Sequence, residues 1–468
     1  MSNLNRNLTQ GSIGKQLASL TWPMLFGMIG MVIFNLTDTF FLGRLGVKPL
    51  AAISYTFPVI MFLNGIAQGI GIGTSSLVSR NIITTGKKEI QTMAGSALLL
   101  GILMVILFVV VGLLTIRPLF SLLGAEGEIL EYVHDYMSIW YMGVLFVVIP
   151  MVGNNIIRAT GDTFTPGMTM LASAVINTIL DPLLIFGIGP FPELGVKGAA
   201  LATVIARSVS MIVVITVLTR REKLLTFHMG SLKAIGQTWR KILYIAGPAT
   251  LGLLITPLSL AVITRIVSAF GKEAMAAFGV ASRVEMFGLM VISSLSTVMI
   301  IFVGQNYSNH QYARIQRALT HARNFSLLWG GFVFLLLLLF AGTVAAIFTK
   351  DAEVIAIARQ YFLIIAGSYG FQGLVMLSTS VYNGLNKPYP SIFFIAVRTF
   401  GLFVPLAWAG SRLIGLPGVM WAGFAANILV GIASYTYLRK TVTQISMSHM
   451  PQARSSSTSA TAQSNKAS

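Results

Sequence analysis

Residues 17–42 read LASLTWPMLFGMIGMVIFNLTDTFFL, and the single charged side chain in that run is Asp38. About 20 apolar residues make a helix long enough to cross a bilayer, so the run predicts a membrane span. A carboxylate near the centre of such a helix costs roughly 2.5–3.5 kcal/mol on insertion-based scales. Residues of this kind therefore face a cavity or a partner and mark function.

The whole chain repeats the pattern. Of its 468 residues 55% are hydrophobic and 10% charged, and the mean hydropathy is +0.80. Such a composition cannot solvate the surface of a soluble protein of this size. Stretches such as Ala97 to Leu114 and Gly330 to Phe348 are continuously apolar. That excludes a transmembrane barrel, whose segments alternate over about ten residues. The apolar run after Arg6 and Lys15 is too long for a signal-peptide core and has no clear small-residue cleavage site, so it is expected to stay as the first helix. There is no cysteine, which excludes disulfide and thiol chemistry.

Charge and Gly/Pro punctuation predict helices over 16–42, 50–79, 93–114, 130–157, 167–188, 197–219, 241–266, 275–304, 320–347, 355–383, 390–411 and 417–438. The reading is an all-α polytopic membrane protein with twelve transmembrane helices. With the N-terminus inside, the inner loops and termini hold twenty lysines and arginines against eight outside. That bias favours both termini in the cytoplasm of a bacterial inner membrane. It also accounts for the net charge of +18 as loop bias beside anionic lipid, so no nucleic-acid partner is expected. Residues 441–468, rich in Ser, Thr and Ala, are expected to form a disordered cytoplasmic tail.

Shifting the chain by 225 positions brings Pro23 onto Pro248, Gly46 onto Gly271, Asn81 onto Asn306, Ile90-Gln91 onto Ile315-Gln316 and Tyr136 onto Tyr361. Six helices per half is an even number. Both halves then enter the membrane from one side and form two six-helix bundles related by a pseudo-two-fold axis along the membrane normal. The expected units are 1–219, a cytoplasmic linker 220–240, and 241–440. Two such bundles around a cleft is a plan used by secondary transporters. No Walker-type run is present, so an ion gradient is the expected energy source and no cofactor is required. An intramembrane enzyme would need a His, Asp or Cys cluster, and the five histidines fall in or beside loops without metal-ligand spacing.

Counting along the helices from their outer ends places Asp38, Tyr136, Asn177, Asp181 and Thr203 in one layer about 6–12 Å beneath the outer surface. Asn177 and Asp181 stand at i, i+4 on one face. Two carboxyls close together disfavour double ionisation, so one should hold a proton. The same oxygens, with a backbone carbonyl freed near Pro182 or at Ala199, could instead coordinate Na⁺. The residue types leave H⁺ and Na⁺ both open. A carboxylate that merely pairs at an interface is the plainer reading of Asp38 alone, and the shared depth argues against it. The second half has Ile263 opposite Asp38 and Leu260 opposite Asn35, which places the ion site in the first half only. Asn35, Asn154 and Glu285 are candidates for lining a substrate cavity. For Glu285, pairing with Arg265, Arg283 or Arg398 is also expected, and Arg207 and Arg398 are expected to satisfy helix ends or buried carbonyls. The 22 methionines are mostly packing residues, with a few suited to adaptable substrate contact.

The stretches PMLFGMIGMVIFNLTDTFFLGRLG at 23–46, LAAIS at 50–54, RATGDTFTP at 158–166, LGVKGAALAT at 194–203 and YNGLNKP at 382–388 resemble the multidrug and toxic compound extrusion family, MATE, over nearly the whole chain. Asp38, Asn177 and Asp181 are similar to the acid set of its DinF-like branch. The NorM-like branch carries acids on helices 7 and 10, where this chain has none. The resemblance implies a monomeric antiporter that exports amphipathic organic cations against H⁺ or Na⁺, with helix 1 moving about Pro23. A lipid-linked precursor flippase of the same superfamily is the alternative. Its cleft should be lined by several arginines, whereas most basic residues here map to loops.

Overall fold

The computed structural model describes residues 7–226 and 231–448. Twelve apolar spans follow one another in it. They are α1 (Ile13–Leu45), α2 (Val47–Asn81), α3 (Lys87–Leu122), α4 (Gly127–Gly143 with Leu145–Ala159), α5 (Phe164–Phe186), α6 (Val196–Arg221), α7 (Leu232–Ser268), α8 (Lys272–Ser308), α9 (Tyr312–Ala346), α10 (Ala352–Gly384), α11 (Pro388–Ile414) and α12 (Leu416–Ser448). Eleven are long and apolar enough to span singly, and α4 completes the set as two segments bent by 44°. The fold is all-α and polytopic, two bundles of six. Every predicted helix is present, most of them longer by several residues, because polar residues at the membrane surface extend the helix without breaking its backbone ladder.

The repeat is written into the turns. Gly46 between α1 and α2 has φ 129°, and its partner Gly271 between α7 and α8 has φ 101°. Gly161 between α4 and α5 has φ 88°, and the equivalent residue of the second half, Asn386, has φ 61°. Left-handed backbone at matched positions needs Gly, or Asn, whose short side chain tolerates it.

Several helices depart from ideal geometry. The α4 break at Val144 follows Gly143, whose missing Cβ leaves room for Val204 of α6. A π-helical stretch ends α6 at Val217–Arg221, and another interrupts α11 at Val397–Phe403. Such inserts are frequently found at functional positions. Helix α12 continues through Ser448, so the tail expected from residue 441 does not begin there. Residues 449–468 lie outside the described residues. The second half also starts earlier than predicted, with α7 at Leu232, inside the stretch expected to be linker.

Hydrogen bonds joining the halves gather toward the end that carries Leu8. Gln305 of α8 donates to Ala159 O (3.1 Å) and accepts from Leu8 N (3.2 Å). Arg80 of α2 donates to Asn386 Oδ1 (3.0 Å), Ser76 to Asn383 O (2.5 Å) and Trp239 of α7 to Ser96 O (2.8 Å). Arg314 of α9 donates to the carbonyls of Leu8 and Gly11 and to Gln16 Oε1. Leu8, Ile13 and Leu17 sit in a core shared with Leu295, Val298, Ile315 and Leu438 of the second half. At the opposite end large apolar side chains of both halves stand exposed, Leu36 and Phe40 on α1 and Leu258 and Leu260 on α7.

Candidate functional site

Close backbone packing positions the acid layer. Along α1, Gly27 and Gly30 face Gly167 and Leu171 of α5 so tightly that a Cβ on Gly30 would lie 2.8 Å from Leu171 Cα, and one on Gly167 would lie 2.2 Å from Pro23 O. Small residues allow such approach where lipid offers no hydrophobic drive. Further along, Thr178 donates to Thr37 (3.3 Å), carrying the contact up to the turn that holds Asp38. Helix α6 is held to α5 in the same way. Gly198 packs against Leu184 O, and Leu194 N and Gly195 N donate to the Leu184 and Ile185 carbonyls at 3.0 and 3.1 Å. Ala199 and Thr203, both buried, follow Gly198 along α6.

Asn177 and Asp181 are fully buried, and Asn177 Nδ2 donates to Asp181 Oδ1 at 3.0 Å. Four oxygens in this layer are buried without a hydrogen-bond partner among the described residues: Asp38 Oδ1, Asp181 Oδ2, Asn177 Oδ1 and Thr203 Oγ1. The charge of Asp38 bears on Asp181, and both acids bear on the hydroxyl of buried Tyr136. Pro182, following Asp181, removes the backbone donor that would otherwise occupy the Thr178 carbonyl. An unpartnered buried oxygen costs roughly 1–3 kcal/mol, so a cluster of them is the arrangement expected where a proton or a hard cation binds. All-oxygen donors fit either. Among the described residues no group of three His, Cys, Asp or Glu could hold a metal ion, so a cation here would depend on neutral oxygens as much as on the two acids.

The remaining sequence candidates are scattered. Asn35 is exposed on α1, where its carbonyl accepts from Thr39 (2.8 Å). Asn154 is buried in α4 with its Oδ1 unpartnered. Pro23 lies inside an α1 that runs unbroken to Leu45.

Glu285 lines a separate cavity of about 270 Å³ in the second half. Among the described residues no arginine lies within ion-pair distance of it, which corrects the expected pairing, although Arg398 lines the same cavity and the charge of Glu285 bears on it. The hydrogen bonds to Glu285 come from Tyr361 (2.9 Å) and Gln372 (3.1 Å), neutral donors on α10. Gln372 in turn accepts from Asn427 (3.2 Å), which accepts from Arg398 (3.1 Å) and donates to Ser368 (2.9 Å). Arg398 therefore serves a side-chain network and not a helix end. Arg207 also departs from expectation: its guanidinium lies over the Phe34 ring, 4.6 Å from the centroid. Sequence reasoning missed Gln372 and Asn427, although an amide in the middle of an apolar span, as at Asn177, is the signal that would have found them.

Comparison with known proteins agrees with this architecture. The family model described as MatE matches residues 23–183 and 248–409, one stretch in each half. An FAD transporter of Shewanella oneidensis is 37% identical over 428 residues, 92% of this chain and 95% of that protein. A probable multidrug resistance protein of Bacillus subtilis, YoeA, is 25% identical over 93% of this chain and 96% of its own length. Among solved structures, the Vibrio cholerae MATE transporter VcmN in its bent form superimposes with a TM-score of 0.87 at 31% identity, covering 93% of this chain and 98% of that one.

Proposed function

This chain belongs to the MatE family of membrane transporters, and from that premise we propose that it is a secondary active exporter of amphipathic organic cations, driven by protons entering at Asp38 and Asp181. The observation that carries the reading is the set of four unpartnered oxygens in α1, α5 and α6, at a level where the second half offers Ile263 and Leu260. A proton supplies the missing hydrogen bond to such a set more simply than Na⁺, which needs five or six ligands held around it. The acid set supports placement in the DinF-like branch. Both termini are assigned to the cytoplasm on the charge bias of the loops. On that assignment the halves are joined at the cytoplasmic end and the cleft opens outward.

A second substrate reading rests on the 37% identity to the FAD transporter: a flavin nucleotide, aromatic and anionic, in place of an organic cation. Proteoliposomes distinguish the couplings. Ethidium and flavin efflux is measured under a pH gradient alone and then a Na⁺ gradient alone. Efflux that follows only the Na⁺ gradient overturns the proton assignment, and efflux that follows neither overturns the exporter reading.

A further inference from the structure

Arg207 lies 11 residues into α6 from Val196, and Phe34 lies 11 residues short of the far end of α1 at Leu45. At about 1.5 Å per residue both are roughly 16 Å deep, near the middle of a hydrocarbon core about 30 Å thick. A full positive charge at that depth is costly and is ordinarily neutralised by a carboxylate or by carbonyls. Arg398, inside α11, follows the rule by donating to Asn427 Oδ1, and even Arg80 and Arg158, in the last turns of α2 and α4, donate to Ser76 O and Asn386 and to Asn155.

Arg207 does not follow it. Among the described residues its guanidinium has no hydrogen-bond or ion-pair partner and no carboxylate bears on it, and its one close contact is the face of Phe34 at 4.6 Å. The side chain is nevertheless held. The Phe34 ring holds the cation by cation–π attraction, and the neighbouring Ala206 carbonyl is tied to α5 by Ser173 Oγ at 3.1 Å. With no partner among the described residues the rim of N–H donors is open, and a guanidinium fork can meet two oxygens of a phosphate at once. Position fixes what the rim looks into. Arg207 is one turn from Thr203 on α6, and Phe34 is one turn from Asp38 on α1, so the guanidinium lies directly beneath the acid layer in the same half.

We infer that Arg207 is a binding residue for a phosphate group carried by the transported solute, the solute's aromatic or apolar part lying toward the cleft. The inference rests on the exporter reading with the second of its two substrates, the aromatic anion, and narrows that substrate to amphipathic phosphate esters. Phosphate could also reach the site on a lipid headgroup, and the assignment made here is to the solute.

The test uses full-length protein in nanodiscs and three probes: flavin mononucleotide, its unphosphorylated parent riboflavin, and ethidium. Wild type should bind flavin mononucleotide about tenfold or more tightly than riboflavin, the step expected for a charge-assisted hydrogen-bond pair. Arg207→Gln should abolish that preference and leave riboflavin and ethidium affinities unchanged. Arg207→Lys, which keeps the charge and loses the fork, should retain part of it. The inference falls if wild type shows no preference, if Arg207→Gln keeps it, or if all three affinities drop together in both Arg207 variants, the result of a purely structural role. It also falls if phosphatidylglycerol nanodiscs displace flavin mononucleotide from wild type, since the site would then belong to a headgroup. Ion-driven ethidium efflux by wild type separates the two readings. Efflux without the flavin preference sinks the Arg207 site alone, and preference without efflux sinks the exporter reading alone.

Discussion

Asn177 Nδ2 donates to Asp181 Oδ1 at 3.0 Å across a turn of α5, and the amide oxygen of Asn177 and the second carboxylate oxygen of Asp181 are buried and unpartnered. The amide has spent a donor on the acid and has its acceptor to offer. A proton on Asp181 Oδ2 or a cation between the two would complete both side chains at once. On the proposed reading this is where the proton goes, and Asp38 and Thr203 have further unpartnered oxygens in the same layer.

Asp38→Asn and Asp181→Asn should each reduce ion-driven efflux in proteoliposomes to the passive leak while the purified protein stays folded. The amide preserves volume and removes the titratable oxygen that coupling needs. Full drug resistance in cells expressing either variant at normal levels would contradict this.

Glu285→Gln should cost less transport than Asp38→Asn. Glu285 is already supplied with two neutral donors, so the variant loses one charge-assisted bond to Tyr361 or Gln372, about 1–3 kcal/mol of stability. The expected signature is a lowered melting temperature with most efflux retained. An inactive Glu285→Gln beside an active Asp38→Asn would move the ion site to the second half.

Gly167→Ala should separate α1 from α5. The added methyl carbon would lie 2.2 Å from Pro23 O, and a backbone oxygen cannot turn aside. Overpacking of this kind costs about 1–3 kcal/mol. Thermal unfolding should show that loss, and efflux should fall with it because Asp38 is displaced. Unchanged melting and unchanged efflux would show that the two helices do not need this contact.

Pro23→Ala should leave the protein folded and depress efflux by stiffening α1, since the proline deprives the helix of one backbone bond. Spin labels on α1 and α6, measured in acidic and alkaline buffer in protein shown to transport, should report different separations in wild type and more nearly equal ones in the variant. A wild-type separation that stays constant would rule out motion of α1.

The twelve helices were legible because each is a long apolar run closed by charge or by Gly and Pro, and Asp38 and Asp181 were legible because a lone acid in such a run has few other reasons to be there. The partners of Glu285 were not. Attraction between opposite charges suggested an arginine, and Arg398 does share the cavity, but the groups within hydrogen-bond reach of Glu285 are Tyr361 and Gln372, 76 and 87 residues away. The break in α4 was equally hidden: it falls beside Gly143, and the close approach of Val204 that needs this glycine comes from another helix. Arg207 was misread because the sequence supplies carbonyls everywhere for a guanidinium to reach, and only the packing on Phe34 shows that it reaches none.

The bonds from Arg314 and Gln305 to Leu8, Gly11 and Gln16 have a mechanical meaning for α1. A rod clamped at its foot cannot tilt as a whole and can only flex along its length. From Pro23 to Asp38 the lever arm is about 22 Å, at about 1.5 Å per residue. A flexure of about 10° at the proline would carry the Asp38 backbone sideways by about 4 Å, more than the length of a hydrogen bond. A small angular change at one residue is thus enough to carry Asp38 into or out of the layer that α5 and α6 complete, with the opposite bundle serving as the bench on which the lever is fixed.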